Sequence, residues 1–593
     1  MRRGIVIGRI RKFALALLAC LVFAVLAPLY FSDRRLDEPF AVSSVVASPS
    51  DMHILSAPVR LGEAPNLTLH RGTAYAYGPN GAERGNSSLV LDGAVFTLNA
   101  GSSGALGDVG GSLADPRLAP SPLIEQIANL GFDLISIRRG TLNITGSDGL
   151  VLETITDIQA EVTGRRKGQV AGRGTFVLRG QRLTFDATIG QSADRRSPLR
   201  WPLKANLKGS LLEASFDGSM DVADDLQLTG VLELTTPSLR RIGRWFGLPL
   251  HTSEGFNAAS IKAQLNWARQ LLAFEKAKVT VDGNEAHGRL ALNVAGERPL
   301  IDATLDFAAL NVTPYVEAAR VPFFGIDIPS TTWSSFDLSL PMIRHIDADL
   351  RISARKLAFR TYAFGQAGAT ITAQAGKLQA DLTELDLNVG TATAQVTAIM
   401  TEAMPRYALR GKVENIDAGA ATALWLGQPA VSGRATLTTD VTSTGYSPTE
   451  VIKRLSGKSS LSVADGRMAI DLAALRSAAK TAAPPSWAGL LKSQVPIDQL
   501  EARALIIDGV AFSDAITARS GSLGLGASGR FGLTDGNMEL RFVTKANVPN
   551  GRPLQMADMV GGEAFVLRGP WREPTIRLDD DLSRKAGAGD GGQ

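Results

Sequence analysis

The stretches of this 593-residue chain that carry chemically useful residue types are few. Gly524-Leu525-Gly526-Ala527-Ser528-Gly529 matches the GxGxxG spacing that cradles a dinucleotide pyrophosphate. That chemistry needs a strand before the glycines and a helix after them, so that the helix N-terminus meets the phosphates. Here Phe531 to Asp535 lead toward another strand and turn, and the stretch reads as a Gly-rich strand with close backbone packing. Gly457-Lys458-Ser459 ends like a phosphate loop, but Ile452 stands where its first glycine belongs, and a helix precedes it where a strand should. His53, His70, His251, His287 and His345 are scattered, without the paired spacing a metal needs. Cys20 is the single cysteine, so no intrachain disulfide forms and a structural zinc site is not expected. No G-x-S-x-G elbow occurs. Carboxylates fall in turns or on polar faces, and the Asn66, Asn143 and Asn311 triplets arise by chance at this length. The expectation is a non-enzymatic protein with no catalytic residue, no metal and no cofactor.

The elements that would position any site are mostly strands. The net charge is +4, from 62 Lys and Arg against 58 Asp and Glu, without the basic stripe that nucleic acid requires. Sixty glycines and 6% aromatics suit many strands joined by tight turns. Apolar residues recur at every second position, the signature of a strand with one apolar face. Leu183, Phe185, Ala187 and Ile189 form one such run, and Leu203, Ala205, Leu207 and Leu211 another. The runs singled out as an apolar lining are Leu226, Leu228, Leu232 and Leu234; Leu290, Leu292 and Val294; Leu350 and Ile352; Leu378 and Leu382; and Leu540 and Phe542. Asp-Gly pairs at Asp92, Asp148, Asp217, Asp282, Asp465, Asp508 and Asp535 read as hairpin turns, which makes neighbouring strands antiparallel.

Helical interruptions are expected at Leu123 to Leu130, at Pro237 to Phe246 with Thr236 as N-cap, at Pro314 to Arg320 and at Ala418 to Leu426. From Ser447 to Arg476 the pattern is helix, strand, turn and helix. Pro448 is a good first helical residue and Gly457 a stop; Ser460 to Val463 alternates; Asp465-Gly466 turns; Ile470, Leu472 and Leu475 form a helical stripe. Trp245-Phe246-Gly247-Leu248-Pro249 and Trp425-Leu426-Gly427-Gln428-Pro429 resemble each other, either as an internal duplication or as a common helix ending.

The run from Phe13 to Phe31 is uncharged and 19 residues long, enough for a membrane-spanning helix. Arg2, Arg3, Arg9, Arg11 and Lys12 precede it, which puts residues 1–12 in the cytoplasm and the bulk across the membrane. A cleaved signal would meet Pro28 at its cut, and a lipoprotein cysteine would not sit inside the apolar run as Cys20 does. Residues 32–50 then read as a linker, 51–429 as an elongated β-rich region with interrupting helices, 430–580 as a C-terminal region and 581–593 as a disordered tail.

One-sided strands must bury their apolar face. A two-layer sandwich does this, with every face closed by side chains. So does a long sheet folded lengthwise into an apolar trough; roughly 30 strands at about 4.8 Å would extend about 140 Å. Acyl chains are the cargo such a trough suits, at about 0.8 kcal/mol per buried CH₂.

LSGKSSLSVADGRMAIDLAAL, from Leu455 to Leu475, resembles the C-terminal signature of the AsmA family. So do the strand and turn at Ala504 to Gly509, the Gly-rich strand after it, Arg530 to Thr544, and Phe565-Val566-Leu567-Arg568-Gly569-Pro570 followed by Pro574 to Asp579. The helix ending WFGLPL is similar to the family's middle region. The likeness is firmest over 430–580, looser from Leu226 to Pro329 and weak over 51–200. It implies a mainly β fold with a few short helices, an N-terminal transmembrane helix and an elongated, curved antiparallel β-sheet groove. It further implies a single-pass protein of the bacterial inner membrane, periplasmic in bulk, of the bridge-like lipid-transfer group. The function implied is envelope biogenesis, with phospholipid acyl chains carried between inner and outer membranes. The alternative is an assembly factor that influences outer-membrane protein insertion through protein contacts. No second membrane segment is evident, so contact with the outer membrane or with assembly machinery would run through the C-terminal region.

Overall fold

The structure is a computed structural model. It describes residues 51–579 apart from 56–58, 61–66, 78–87, 100–133, 146–148, 166–168, 191–199, 222–226, 247–254, 296–297, 317–337, 339, 401–402, 421, 423–428, 482–493, 550–551 and 571–573. The expected anchor, linker and tail, the expected helix at 123–130, Leu226, and most of both Trp-x-Gly-x-Pro stretches lie outside the described residues. None of the described helices is long and apolar enough to cross a membrane. The chain is mainly β, with 31 described strands and short helices at Leu239–Phe246, Thr313–Val316, Pro448–Lys453 and Leu472–Thr481. It divides into two units, residues 1–251, 255–306 and 345–348 in the first and residues 252–254, 307–344 and 349–593 in the second.

In the first unit each strand from Leu134–Thr145 to Asn284–Asn293 pairs antiparallel with the next. The exception to the expected hairpins is Ser88–Asn99, which runs parallel to Leu134–Thr145. A parallel pair needs a crossover of a dozen residues or more, and residues 100–133 separate these two. Alternation does the sorting: on Arg200–Gly209, Trp201, Leu203, Ala205 and Leu207 are buried, while Lys204, Asn206 and Lys208 face outward.

The helix Leu239–Phe246 is tied to these strands at one point. Its cap is Ser238, whose Oγ accepts from Arg241 N at 3.3 Å. Thr236, the expected cap, accepts from Ser238 N at 3.0 Å just before the helix and donates to the Leu211 carbonyl at 2.8 Å. Trp245 Nε1 donates to the Leu178 carbonyl, and Arg179 donates to the Trp245 carbonyl and to Glu153 Oε2, its Nε standing 2.7 Å from that oxygen. The Arg179 and Glu153 side chains are only 18% and 10% exposed. Arg179→Ala leaves Glu153 a buried, unpaired charge and is expected to cost about 3 kcal/mol, read as a fall in the urea midpoint at unchanged slope.

In the second unit the strands from Lys377–Asp386 to Thr575–Leu578 also pair antiparallel in chain order. A separate small sheet joins Leu310–Asn311, Leu357–Phe359 and Tyr362–Phe364. The Asp-Gly pairs divide into two kinds. Asp282-Gly283 and Asp508-Gly509 have positive φ at both residues and close two-residue hairpins, as expected. Asp535-Gly536 likewise precedes a returning strand. Asp148 lies outside the described residues. Three pairs are not turns. Asp217-Gly218 lies inside Glu213–Asp221, paired on both sides. A Cβ on Gly218 would stand 2.3 Å from the Thr229 carbonyl oxygen and 2.8 Å from the Phe216 ring, so this glycine admits a close cross-strand approach. Asp92-Gly93 and Asp465-Gly466 sit at register shifts within single strands, with Asp465 at φ 51° and Gly93 at φ 64°; they are β-bulges.

The stretch from Ser447 is thus helix, one long strand and helix. Pro448 opens the helix Pro448–Lys453 as expected, and Ser447 caps it. Gly457 is no helix stop: it lies in the strand Ser456–Ala469, where a Cβ would meet the Asp440 carbonyl oxygen at 2.2 Å. The second helix is Leu472–Thr481, capped by Asp471 Oδ1, which accepts from Ala473 N and Ala474 N at 3.0 Å. Leu475 packs it onto Met538, Phe565, Leu567 and Ile576. The opposite face of the same strands carries its own small core. Val548, Leu554, Met556 and Met559 cover Val543 and Ala564 there. They lie on Gly524 and Gly526, where a Cβ would come within 2.5 Å of Val548 and 2.9 Å of Met556. The GxGxxG motif is therefore strand Leu523–Gly532, its glycines bare so that this cover can seat.

The Arg476 guanidinium grips Glu563 through Nε and Nη2, at 2.9 and 2.6 Å, and holds that carboxyl below its ordinary range. A carboxylate lowered in the folded state stabilises fully above its unfolded value and loses that contribution as pH falls through the folded value. As pH is lowered from about 5, hydrogen exchange across residues 472–481 should therefore fall less steeply than the intrinsic rate does. Glu563→Gln should remove that difference; an unchanged profile in the variant would contradict the assignment.

Candidate functional site

No catalytic constellation is found among the described residues. No group of three His, Cys, Asp or Glu stands close enough to hold a metal ion. Every described carboxylate with a resolved shift is lowered by hydrogen bonds or cations, as Asp157 is by Arg182, Asp381 by Gln379 and Gln395, and Glu539 by Arg568 and Arg530. A general acid at neutral pH needs the opposite shift.

The feature with functional potential is the apolar face of the first unit. Strand register places its side chains in transverse rows, because residues directly opposite on antiparallel strands face the same side. One row runs Trp201, Met220, Leu228, Trp267, Leu272 and Leu292 across six successive strands. Another runs Leu265, Phe274 and Leu290, and Leu232 and Leu234 lie opposite Ala263 and Ile261. The face changes in character along the unit. Phe96, Leu142, Ile144, Leu178, Leu183, Ile189 and Leu203 are all at most 2% exposed. Leu228 is 8% exposed, and Leu232, Leu234, Trp267, Leu272, Leu290 and Leu292 are half-buried. Val294, just past the strand end, is buried.

The remaining expected lining residues are in the second unit. Leu350 and Ile352 lie half-buried on Asp347–Ala354. Leu378 is half-buried, and Leu382 is packed in a cluster with Leu357, Phe364 and Leu385. Leu540 and Phe542 pack in the cluster under the helix Leu472–Thr481. The structure thus groups Leu228, Leu232, Leu234, Leu290 and Leu292 on one face, while Leu382, Leu540 and Phe542 have protein cover.

Sequence reading overlooked two features. Leu505, Ile507 and Phe512 are 56%, 47% and 42% exposed at one hairpin end, with Leu505 opposite Phe512. They fall at polar-face positions of the alternation, which is the signal that would have marked them. The other is Trp201, whose buried Nε1 has no hydrogen-bond partner.

No protein-family model, no curated protein sequence and no solved structure matches the chain.

Proposed function

We propose that this is a non-enzymatic envelope-biogenesis protein that binds or transfers phospholipid acyl chains, carrying them between inner and outer membranes along an apolar β-sheet face. The observation that carries this reading is the row from the buried Leu228 through the half-buried Trp267, Leu272 and Leu292, with the half-buried neighbours Leu232, Leu234 and Leu290. Apolar side chains left partly in water gain about 25 cal/mol per Å² when an acyl chain covers them. The row from Trp201 to Leu292 spans five inter-strand spacings, about 24 Å, against about 15 Å for one leaflet of hydrocarbon. The apolar run from Phe13 to Phe31 supports an inner-membrane anchor for this activity. Photocrosslinking from position 228 or 292, followed by lipid mass spectrometry, tests the reading.

A second reading has its own support. The exposed Leu505, Ile507 and Phe512 lie beside the ion-paired Arg530, Glu539 and Arg568. An apolar group with a charged rim suits a protein contact, as an assembly factor for outer-membrane proteins would need. Crosslinks from Phe512 to an assembly machine that persist in Leu292→Asp would favour it.

A further inference from the structure

The buried indole of Trp201 continues the Leu228–Leu292 row two strands beyond Leu228, past Met220. We infer that Trp201 Nε1–H is a hydrogen-bond donor for the ester carbonyl of a bound acyl lipid. The inference rests on the acyl-chain reading above and adds the polar group that would fix a lipid's register on an apolar face.

Three described tryptophans allow a comparison. Trp245 Nε1 donates to the Leu178 carbonyl at 3.3 Å, and Trp267 Nε1 to the Arg269 carbonyl at 3.1 Å. Both rings are only half-buried. Trp201 is 1% exposed, and its Nε1 has no partner. A buried indole N–H ordinarily finds an acceptor, and leaving one unmade is unfavourable. Among the described residues its surroundings are apolar: Trp201 faces Met220 across the strand pair, Leu203 and Ile189 lie beside it on the same face, and Leu228 follows beyond Met220. A buried water needs two to four polar partners, and among the described residues of this row the one other donor, Trp267 Nε1, is already bonded to the Arg269 carbonyl.

The row then sorts a ligand by chemistry. The half-buried Trp267, Leu272 and Leu292 give an acyl chain its apolar track. The donor at the buried end asks for one uncharged acceptor. An ester carbonyl meets that requirement without carrying charge inward. A free fatty acid carboxylate would have to be desolvated with no cation on the face, which is strongly unfavourable. A dialkyl ether lipid presents the same chains without the carbonyl.

The test is equilibrium binding of the full-length protein to a diacyl phosphatidylethanolamine, to its dialkyl ether analogue and to the free fatty acid of the same chain length. The wild type is expected to favour the diester over the diether by about tenfold, with the fatty acid weaker than the diester. Trp201→Phe should weaken only the diester, bringing the ratio to about one. The wild-type ratio needs no variant, so a destabilised Trp201→Phe protein does not remove the test. Equal binding of diester and diether by the wild type would overturn the donor role and leave the acyl-chain reading standing. Binding of neither would overturn both. Equal loss of both lipids in a folded Trp201→Phe protein would assign the ring to packing alone.

Discussion

Leu228→Asp is expected to abolish acyl-chain capture on the first unit and to lower its stability by about 3–5 kcal/mol. Leu228 is 8% exposed, between Met220 on one strand and Trp267 on the next. A carboxylate there has no cation in its own row; the adjacent Trp267 indole already donates to the Arg269 carbonyl, and the Trp201 indole is two strands away. Loss of stability alone would therefore be ambiguous. Leu292→Asp separates the effects. Leu292 is half-buried at the other end of the row, so its carboxylate reaches water and the folded state should shift by no more than about 1 kcal/mol. An acyl chain lying on it must still strip that carboxylate of water. Labelling of the protein by a photoactivatable phospholipid should fall at least about tenfold in Leu292→Asp while the urea midpoint stays close to wild type.

Phe565→Ala is expected to cost about 3–5 kcal/mol and to loosen the helix Leu472–Thr481. Phe565 is 0% exposed and stands opposite Phe542, with the ring centroids 6.4 Å apart. It is the largest of the buried side chains in the cluster that Leu475 joins from the helix. The helix is Ala-rich, and Leu475 is its anchor in that cluster. Removing the ring leaves a cavity that Ala474, Ala478 and Ala479 are too small to fill. Hydrogen exchange should rise across residues 472–481 and 563–570 together. An increase confined to the strand would mean that the helix is held by Arg476–Glu563 rather than by packing.

The same cluster indicates how far sequence reading reached. Ile470, Leu472 and Leu475 were legible as a helical stripe; Ile470 precedes the helix, and all three face a core. What the stripe could not tell is that the helix covers Leu540 and Phe542, because period-2 alternation marks a face as apolar without marking what lies against it. Asp-Gly was a sound hairpin signal at Asp282 and Asp508, where both residues adopt positive φ. It failed at Asp217 and Asp465. A strand also uses glycine to let a neighbouring backbone approach, as at Gly218, or to form a bulge, as at Asp465-Gly466. Conversely, Arg179-Gly180 and Ala375-Gly376 close hairpins with positive φ at an arginine and an alanine. Neither residue type announces that backbone. The alternating apolar residues of the first unit were legible as one face because their periodicity is strict. The unpartnered Trp201 indole was not legible, since a missing hydrogen bond is a property of packing and leaves no trace in the order of residues.

The most direct measurement places a photoreactive amino acid at position 292 of the full-length protein in its native membrane. Irradiation is followed by mass spectrometry of the adducts. Covalent phospholipid adducts at 292, lost when Leu228→Asp is added to a folded protein, are the predicted result. Intact, folded protein with no lipid adduct at 292 or at 228 would contradict the proposal that this face carries acyl chains.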